Sequence, residues 1–267
     1  EQPWKEYSIG DLATYYRTET RANARSKPYS HGDLARAGDP AKAFAGFRDG
    51  AWRDPSMTMF GTEQEAWLSR SILRDKATWA LLGTGTNMGY SYTPESAMDW
   101  VPRVAPERAI NYVRQGIAAA KAGLPYNLDN WGGYPTARSR ILSAAQRADA
   151  NLVVITGDSH NGWAFDLPEG GKPAGVEFGG HSVSSPGFES AVPFTAPSDV
   201  ARSLLDASKQ ELRWVDTSNR GYMHLALTPQ AATNEWVFMQ TVKDISLATK
   251  AGHKMKVRPG RKVLEQA

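Results

Sequence analysis

The chain has 267 residues, of which 41% are hydrophobic and 22% are charged, and this composition is typical of a globular protein with a core of ordinary size. The formal net charge of +3 gives no signature of binding to nucleic acid or to an anionic membrane surface. The absence of cysteine excludes disulfides, thiolate catalysis and cysteine-bound metal. The longest apolar runs are only strand-length, so no membrane-spanning helix is expected.

Patterns typical of helices and strands alternate along the chain, which predicts a layered α/β domain. Residues 10–21 predict a buried strand that runs into a polar loop, and residues 22–55 predict a long ordered loop because they lack clear periodicity. Thr62 and Glu65 have the spacing of a capping box at the start of a helix. Further helices are predicted at Glu107–Gly123, from Pro135 to about Arg147 and near Ser198–Gln210, and strands at Thr78–Gly83, Asn151–Gly157, Gly221–Thr228 and Glu235–Val242.

The two ends of the chain carry separate indications. The sequence begins with Glu1 rather than Met, so we expect a processed form, an engineered form or a fragment of a longer protein. Residues 250–267 contain six lysines and arginines and little apolar content. A solvated basic tail is favoured there over a binding site for an anionic partner.

The segment after the strand at Asn151–Gly157 contains the strongest candidate for chemistry. Asp158 and His160 follow the strand end and, in an extended segment, would point to the same side of the sheet rim. A carboxylate with an imidazole suits iron, manganese or zinc, and the carboxylate also suits calcium. Two alternatives remain open for this segment: Ser159 as a serine nucleophile, and a hydrogen-bonded strand end without chemistry.

Six motifs along the chain extend this indication. In their order and spacing they resemble the PhoD-like alkaline phosphatases, a branch of the calcineurin-like metallophosphoesterases. The motifs are IGDLATYYRTETR, TMFGTEQEAWL, DNWGGYPTAR, VVITGDSHNGWAFDL, SVSSPG and NRGYMHLALT. Two positions depart from the family pattern, since Glu19 and Gly132 each stand where the family has Asp.

The resemblance implies a fold and an activity. The fold would be the C-terminal portion of an αββα sandwich, with two mixed sheets and flanking helices, at residues 1–249. The activity would be phosphoester hydrolysis, as an alkaline phosphatase or phosphodiesterase, with a metal-activated water at a two-metal centre. The resemblance further implies Fe(3+) bound by His160 and Ca(2+) bound by Asp158, with other divalent metals as alternatives, and export to the periplasm or the outside of the cell.

The family's other metal ligands lie in segments that this sequence does not contain, and one of them is a cysteine. Two ligands cannot hold two ions, so we expect little or no activity from this chain alone. The resemblance therefore implies a partner, the N-terminal portion of the same enzyme, as a tightly associated second chain. The alternative is a noncatalytic half whose role is structural or in binding.

Three further residues are candidates for contact with a phosphate ester substrate. Arg21 follows a strand and could bind phosphate with two donors, or form a structural ion pair. Asn161 could donate to a phosphoryl oxygen or close the turn. Trp131 could contact substrate, although packing is the favoured role for it.

Overall fold

The computed structural model describes residues 2–36, 38–102 and 104–267. A seven-stranded mixed sheet has the order β1-β2-β3-β4-β6-β5-β7. Pairing is parallel from β2 through β3 and β4 to β6, and antiparallel where β1, β5 and β7 join. The strands are β1 (Lys5–Ile9), β2 (Ala13–Arg17), β3 (Trp79–Gly83), β4 (Leu152–Thr156), β5 (Gly162–Glu169), β6 (Lys172–Gly179) and β7 (Leu212–Asp216).

A second sheet of four strands is antiparallel throughout and has the order β11-β10-β9-β8. Its strands are β8 (Gly221–Leu227), β9 (Ala232–Met239), β10 (Thr249–Val257) and β11 (Glu265–Gln266). The α-helices are α1 (His31–Ala35), α2 (Pro40–Asp49), α3 (Thr62–Arg74), α4 (Glu107–Lys121), α5 (Pro135–Arg147), α6 (Phe188–Ala191) and α7 (Pro197–Ser208). Among the described residues, no helix is long and apolar enough to cross a membrane.

The larger sheet is covered on both faces, and this explains its apolar central strands. In β3, Ala80 and Leu82 join the core formed with α3, α5 and α7, whereas Trp79 and Leu81 join the core formed with the smaller sheet. Alternate side chains of a strand point to opposite faces, so a strand buried on both sides is apolar at nearly every position. The expected sandwich of two sheets with flanking helices is confirmed, and the larger of the two sheets is the mixed one.

The prediction of a long loop at residues 22–55 is wrong in part. This segment contains α1 and α2. Phe44 and Phe47 of α2 pack with Ala119 and Leu124 in a small separate core. Asp39 accepts a hydrogen bond from the backbone N–H of Ala41 and caps α2. The two helices are short, which leaves little periodicity to detect in the sequence.

The predicted capping box also does not form. Thr62 is the first helical residue of α3, and Gly61 takes the capping position without a side-chain hydrogen bond. Glu65 instead accepts from the Thr58 hydroxyl at 2.8 Å and pairs with Arg140. The residue therefore ties α3 to α5 rather than closing its own helix end.

The solvated tail predicted at residues 250–267 is instead part of the smaller sheet. Residues Thr249–Val257 form β10 and pair with β9, and Met255 and Val257 are buried between the two sheets. The lysines alternate with these apolar residues and point to the other face of the strand. The high charge of the segment hid this alternation.

Buried carboxylates hold the irregular segment that follows β3. Glu177 of β6 is fully buried, and it accepts from the Thr156 hydroxyl at 2.7 Å and from the backbone N–H groups of Met88 and Gly89 at 2.9 and 2.6 Å. Burial raises the pKa of Glu177 to about 7, against the opposing effect of these hydrogen bonds. A backbone without sheet partners is thus satisfied by a side chain from the strand beneath it.

A buried ion pair continues this support. Arg138 of α5 donates to the Met88 carbonyl at 2.9 Å and to the Glu211 carboxylate at 2.8 Å, and Glu211 also accepts from the backbone N–H of Tyr90 at 2.8 Å. The same guanidinium lies 4.2 Å from the centre of the Tyr90 ring. Removing one partner of such a pair leaves an uncompensated buried charge, so these groups fix the segment firmly.

Met255→Ala tests the placement of β10 in the sheet. Met255 is 7% exposed, so we expect a loss of about 2–5 kcal/mol in the free energy of unfolding, measured by urea denaturation. Leu247→Ala is the matched control, because Leu247 is 94% exposed and its truncation should change stability by less than about 0.5 kcal/mol. Equal stabilities of the two variants would show that this segment is not packed.

Glu177→Gln tests the buried carboxyl group. The fold raises its pKa from 4.5 to about 7, so the folded chain binds the proton more tightly and the free energy of unfolding falls as the pH rises through this window. The loss amounts to about 3 kcal/mol. Glutamine is uncharged and keeps an acceptor for the N–H groups, so the variant should gain that much relative to the parent protein between about pH 5 and about pH 8.

Urea denaturation at both pH values measures this change. Glu63→Gln, at an exposed position of α3, is the matched control, and its free energy of unfolding should equal that of the parent protein at both pH values. If Glu177→Gln keeps the pH dependence of the parent, the buried carboxyl group is not its source.

Candidate functional site

The candidate residues lie at one edge of the larger sheet. Strands β2, β3, β4 and β6 are parallel, so the segments that follow their carboxyl ends meet there. Arg21 follows β2, the segment held by Glu177 follows β3, and Asp158 to Asn161 follow β4. The apolar strands therefore end where the polar side chains begin.

The turn after β4 differs from the extended segment expected from the sequence. Asp158 and His160 both have left-handed backbone conformations, with φ values of 67° and 61°. Such conformations cost about 1–2 kcal/mol each for residues other than glycine. The expectation that the two side chains share one side through strand alternation is therefore wrong, since they project from a tight turn.

A hydrogen bond to the Pro186 carbonyl fixes the tautomer of His160. The ring Nδ1 lies 2.9 Å from the Pro186 carbonyl oxygen, which can only accept a hydrogen bond, so Nδ1 carries the proton in the neutral ring. The lone pair is then on Nε2, the nitrogen left for a metal. A hydrogen bond from the other ring nitrogen to a carbonyl oxygen is what orients the rings of metal-binding histidines. The backbone of His160 is also held, because its carbonyl accepts from Arg220 at 3.1 Å.

A chain of ion pairs joins the motifs. Arg21 donates to Asp129 at 2.7 Å and to Asp158 at 2.8 Å, and Arg25 donates to Asp129 at 2.9 Å. Partial burial acts to raise the pKa of Asp129, but the hydrogen bonds and charges of Arg21 and Arg25 outweigh it and hold the pKa below its usual range. The structure therefore brings Arg21 and Asp158 together, as the sequence analysis expects of one site, and adds Asp129 and Arg25.

Glu19 shapes the loop that carries Arg21. Its carboxylate accepts from the backbone N–H groups of Arg21, Ala22 and Asn23 at 2.7 to 3.0 Å. Partial burial acts to raise the pKa of Glu19, and these N–H donors outweigh it and lower the pKa. The departure from the family's Asp marks this position in the sequence, but the interaction itself has no sequence signal.

The role assigned to Trp131 as a substrate contact is contradicted by its burial. The side chain is 0% exposed, its Nε1–H donates to the Thr84 hydroxyl at 3.2 Å, and its ring packs edge-on against Phe60. A residue with no exposed surface cannot touch a substrate in this conformation. Trp131 supports the loop that carries Asp129.

Asn161 uses its amide to close the turn. Its Nδ2 donates to the Ser159 carbonyl at 2.7 Å, and its Oδ1 accepts from the backbone N–H of Phe188 at 3.2 Å. The residue also lines a cavity of about 300 Å³ beside Asp158 and Ser159, and Trp163 forms part of the same wall. Asn161 and Trp163 therefore both form part of the wall of this cavity.

Ser159 does not have the partners of a nucleophile. Its hydroxyl accepts from the Trp163 indole at 2.7 Å and donates to the Asn161 carbonyl at 3.3 Å. Within the part of the chain that the structure describes, no histidine hydrogen-bonds to this hydroxyl. The serine alternative lacks the base that it requires.

The two donors in this turn are of types that bind metals. His160 offers Nε2 and Asp158 offers carboxylate oxygen, which matches the preferences of iron and calcium. Among residues 2–36, 38–102 and 104–267, however, no group of three or more histidine, cysteine, aspartate or glutamate residues could hold an ion. The described residues therefore supply part of a metal site at most.

Comparisons with known proteins identify the family of this chain. Alkaline phosphatase D of Bacillus subtilis (strain 168) is 24% identical over 192 residues, which cover 70% of this chain and 27% of that protein. A solved structure of PhoD has a TM-score of 0.67 at 22% identity, covering 99% of this chain and 44% of that chain. The chain thus spans less than half the length of these relatives. A model of the PhoD-like phosphatases matches residues 1–236, and the chain belongs to the PhoD-like phosphatase family.

Proposed function

We propose that this chain is part of a metal-dependent phosphoester hydrolase, an alkaline phosphatase or phosphodiesterase of the PhoD type. The observation that carries the proposal is the preset tautomer of His160, whose Nδ1 faces the Pro186 carbonyl while Asp158 lies in the same turn. Family membership supports hydrolysis of phosphate esters, and the relative named alkaline phosphatase D supports the same class.

His160 would hold Fe(3+) through Nε2, and Asp158 would serve Ca(2+) through its carboxylate, at a two-metal centre. Bound metals of this kind supply Lewis acidity and lower the pKa of a water molecule, which is the chemistry that phosphoester hydrolysis needs. The chain's own contribution is to present both donors from one rigid turn. The left-handed backbone at both residues sets the directions of the two side chains.

Arg21 would bind the phosphoryl group. Its side chain is 44% exposed and lies between Asp129 and Asp158, so it faces solvent at the mouth of the site. A guanidinium can bind two phosphoryl oxygens at once, and Glu19 holds the loop beneath it. Asn161 maintains the turn, and the Trp163 ring limits access of water on that side.

The remaining metal ligands would come from a part of the enzyme outside this chain, on the same polypeptide or as a tightly associated second chain. The short share of the relatives' length that the chain spans supports this proposal. Export to the periplasm or the cell exterior is part of the same proposal. The incomplete ligand set also favours one alternative, a noncatalytic binding half.

His160→Ala in the enzyme that contains this chain tests the proposal. Loss of a metal ligand should lower kcat for 4-nitrophenyl phosphate and bis(4-nitrophenyl) phosphate by about 100-fold or more, and should lower the iron content measured by plasma mass spectrometry. His224→Ala is the matched control, because His224 is exposed on β8 and its removal should change neither quantity.

Three outcomes would contradict parts of the proposal. Unchanged turnover in His160→Ala would remove the role of this ligand. Full activity from a single purified species of 29.2 kDa would show that no further portion is needed. Absence of both metals and of hydrolysis from the complete protein would establish the noncatalytic alternative.

A further inference from the structure

A large apolar groove adjoins the site cavity. It has a volume of about 690 Å³, which is within the range of sites that bind small organic molecules. Helix α4, the short helix Glu95–Trp100 and the segment around α6 form its walls. We propose that the groove is the binding site for a bulky apolar group of the ester substrate and so determines substrate specificity. This proposal rests on the proposed function.

The lining of the groove is apolar and partly exposed. Val104, Tyr112 and Phe194 stand at its rim with exposures of 92%, 62% and 76%. Exposure of large apolar side chains to water is unfavourable in free energy. A bound apolar group would cover these side chains and remove this unfavourable exposure. Arg108 is a charged member of the lining and lies at the exposed rim.

Two neutral polar groups are buried in the wall of this groove without partners among the described residues. The Thr93 hydroxyl is buried in its wall, where Thr93 is only 7% exposed, and has no hydrogen-bond partner among the described residues. The Nε2 atom of His31 is also buried and has no hydrogen-bond partner among the described residues. Burial lowers the pKa of this ring, which favours its uncharged form. Among the described lining residues, the buried part of the wall therefore carries no charge, which suits an apolar occupant.

The groove and the site cavity share walls. Tyr126, Phe188 and Ala191 line both, so the two spaces lie side by side. The Phe188 ring contacts Trp163 of the cavity and Trp100 of the groove edge-on, with ring centres 6.4 Å apart in each pair. An ester whose phosphate lies near Asp158 could therefore extend its organic part past Phe188 into the groove.

A covering segment of the same enzyme is the alternative occupant of the groove, because the portion that supplies the remaining metal ligands would also lie near the site. The observation that favours a substrate is the lining that Tyr126, Phe188 and Ala191 give to both spaces. The two parts of an ester are covalently joined and need adjoining spaces. A titration that compares the complete protein with this chain alone separates the two occupants.

Binding of non-hydrolysable phosphonates by the complete protein tests the proposal. We expect 2-naphthylmethylphosphonate or decylphosphonate to bind at least about tenfold more tightly than methylphosphonate in calorimetric titrations. The comparison of the aryl with the alkyl compound shows which kind of apolar group the groove prefers. Titration with 2-naphthol, which has no phosphate, measures the affinity of the groove alone, without a contribution from the phosphate site.

Ala109→Trp fills the groove from a half-buried position of α4, and Val104→Glu places a charge at its exposed rim. Both variants should remove the preference for the large phosphonates and the binding of 2-naphthol. Ala66→Trp, at an exposed position of α3, is the matched control and should keep both.

The results separate this proposal from the proposed function. Equal affinities for the large and small phosphonates, or a preference that survives both groove variants, would overturn the apolar site even if esters are hydrolysed. Binding of 2-naphthol by this chain alone but not by the complete protein would assign the groove to an internal interface and would also overturn it. Groove binding without hydrolysis of any ester would contradict the proposed function instead.

Discussion

The burial of β3 and β4 on both faces is the constraint on which the rest of the structure depends. Ala80 and Leu82 face the helices while Trp79 and Leu81 face the second sheet, so these strands are apolar along almost their whole length. Chemistry is then confined to the points where the strands end. Parallel pairing of four strands brings several such ends to one edge, and this is why motifs far apart in the sequence form one site.

Ion pairs organise that edge once the strands have defined it. Asp129 and Asp158 each bind Arg21, and Asp129 also binds Arg25, so the carboxylates are balanced by guanidinium groups. These side chains are partly exposed, and their net contribution to stability is modest. Their effect is on position, because Arg21 is held between the carboxylates of Asp129 and Asp158 and by the loop that Glu19 stabilises.

The sequence predicts the regular parts of the fold better than it predicts the irregular parts. The strand that ends at Gly157 and the helices at Glu107 and Pro135 have long periodic patterns, and the structure confirms them. Helices α1 and α2 are short, and the basic residues of β10 conceal its buried face. The ion pairs join residues more than 100 positions apart in sequence, and no local pattern encodes them.

The strained turn at Asp158 and His160 is consistent with a site that is completed from outside the described residues. Ordering a flexible turn during assembly would reduce the affinity for the missing groups, so a preset turn favours assembly. Asn161 closes the turn, the Pro186 carbonyl orients the His160 ring, and Arg21 neutralises Asp158. This guanidinium compensates the charge of the carboxylate through an ion pair at 2.8 Å. In the proposed enzyme, Asp158 would hold a metal ion with the same carboxylate that pairs with Arg21, so the ion and the guanidinium would compete for it.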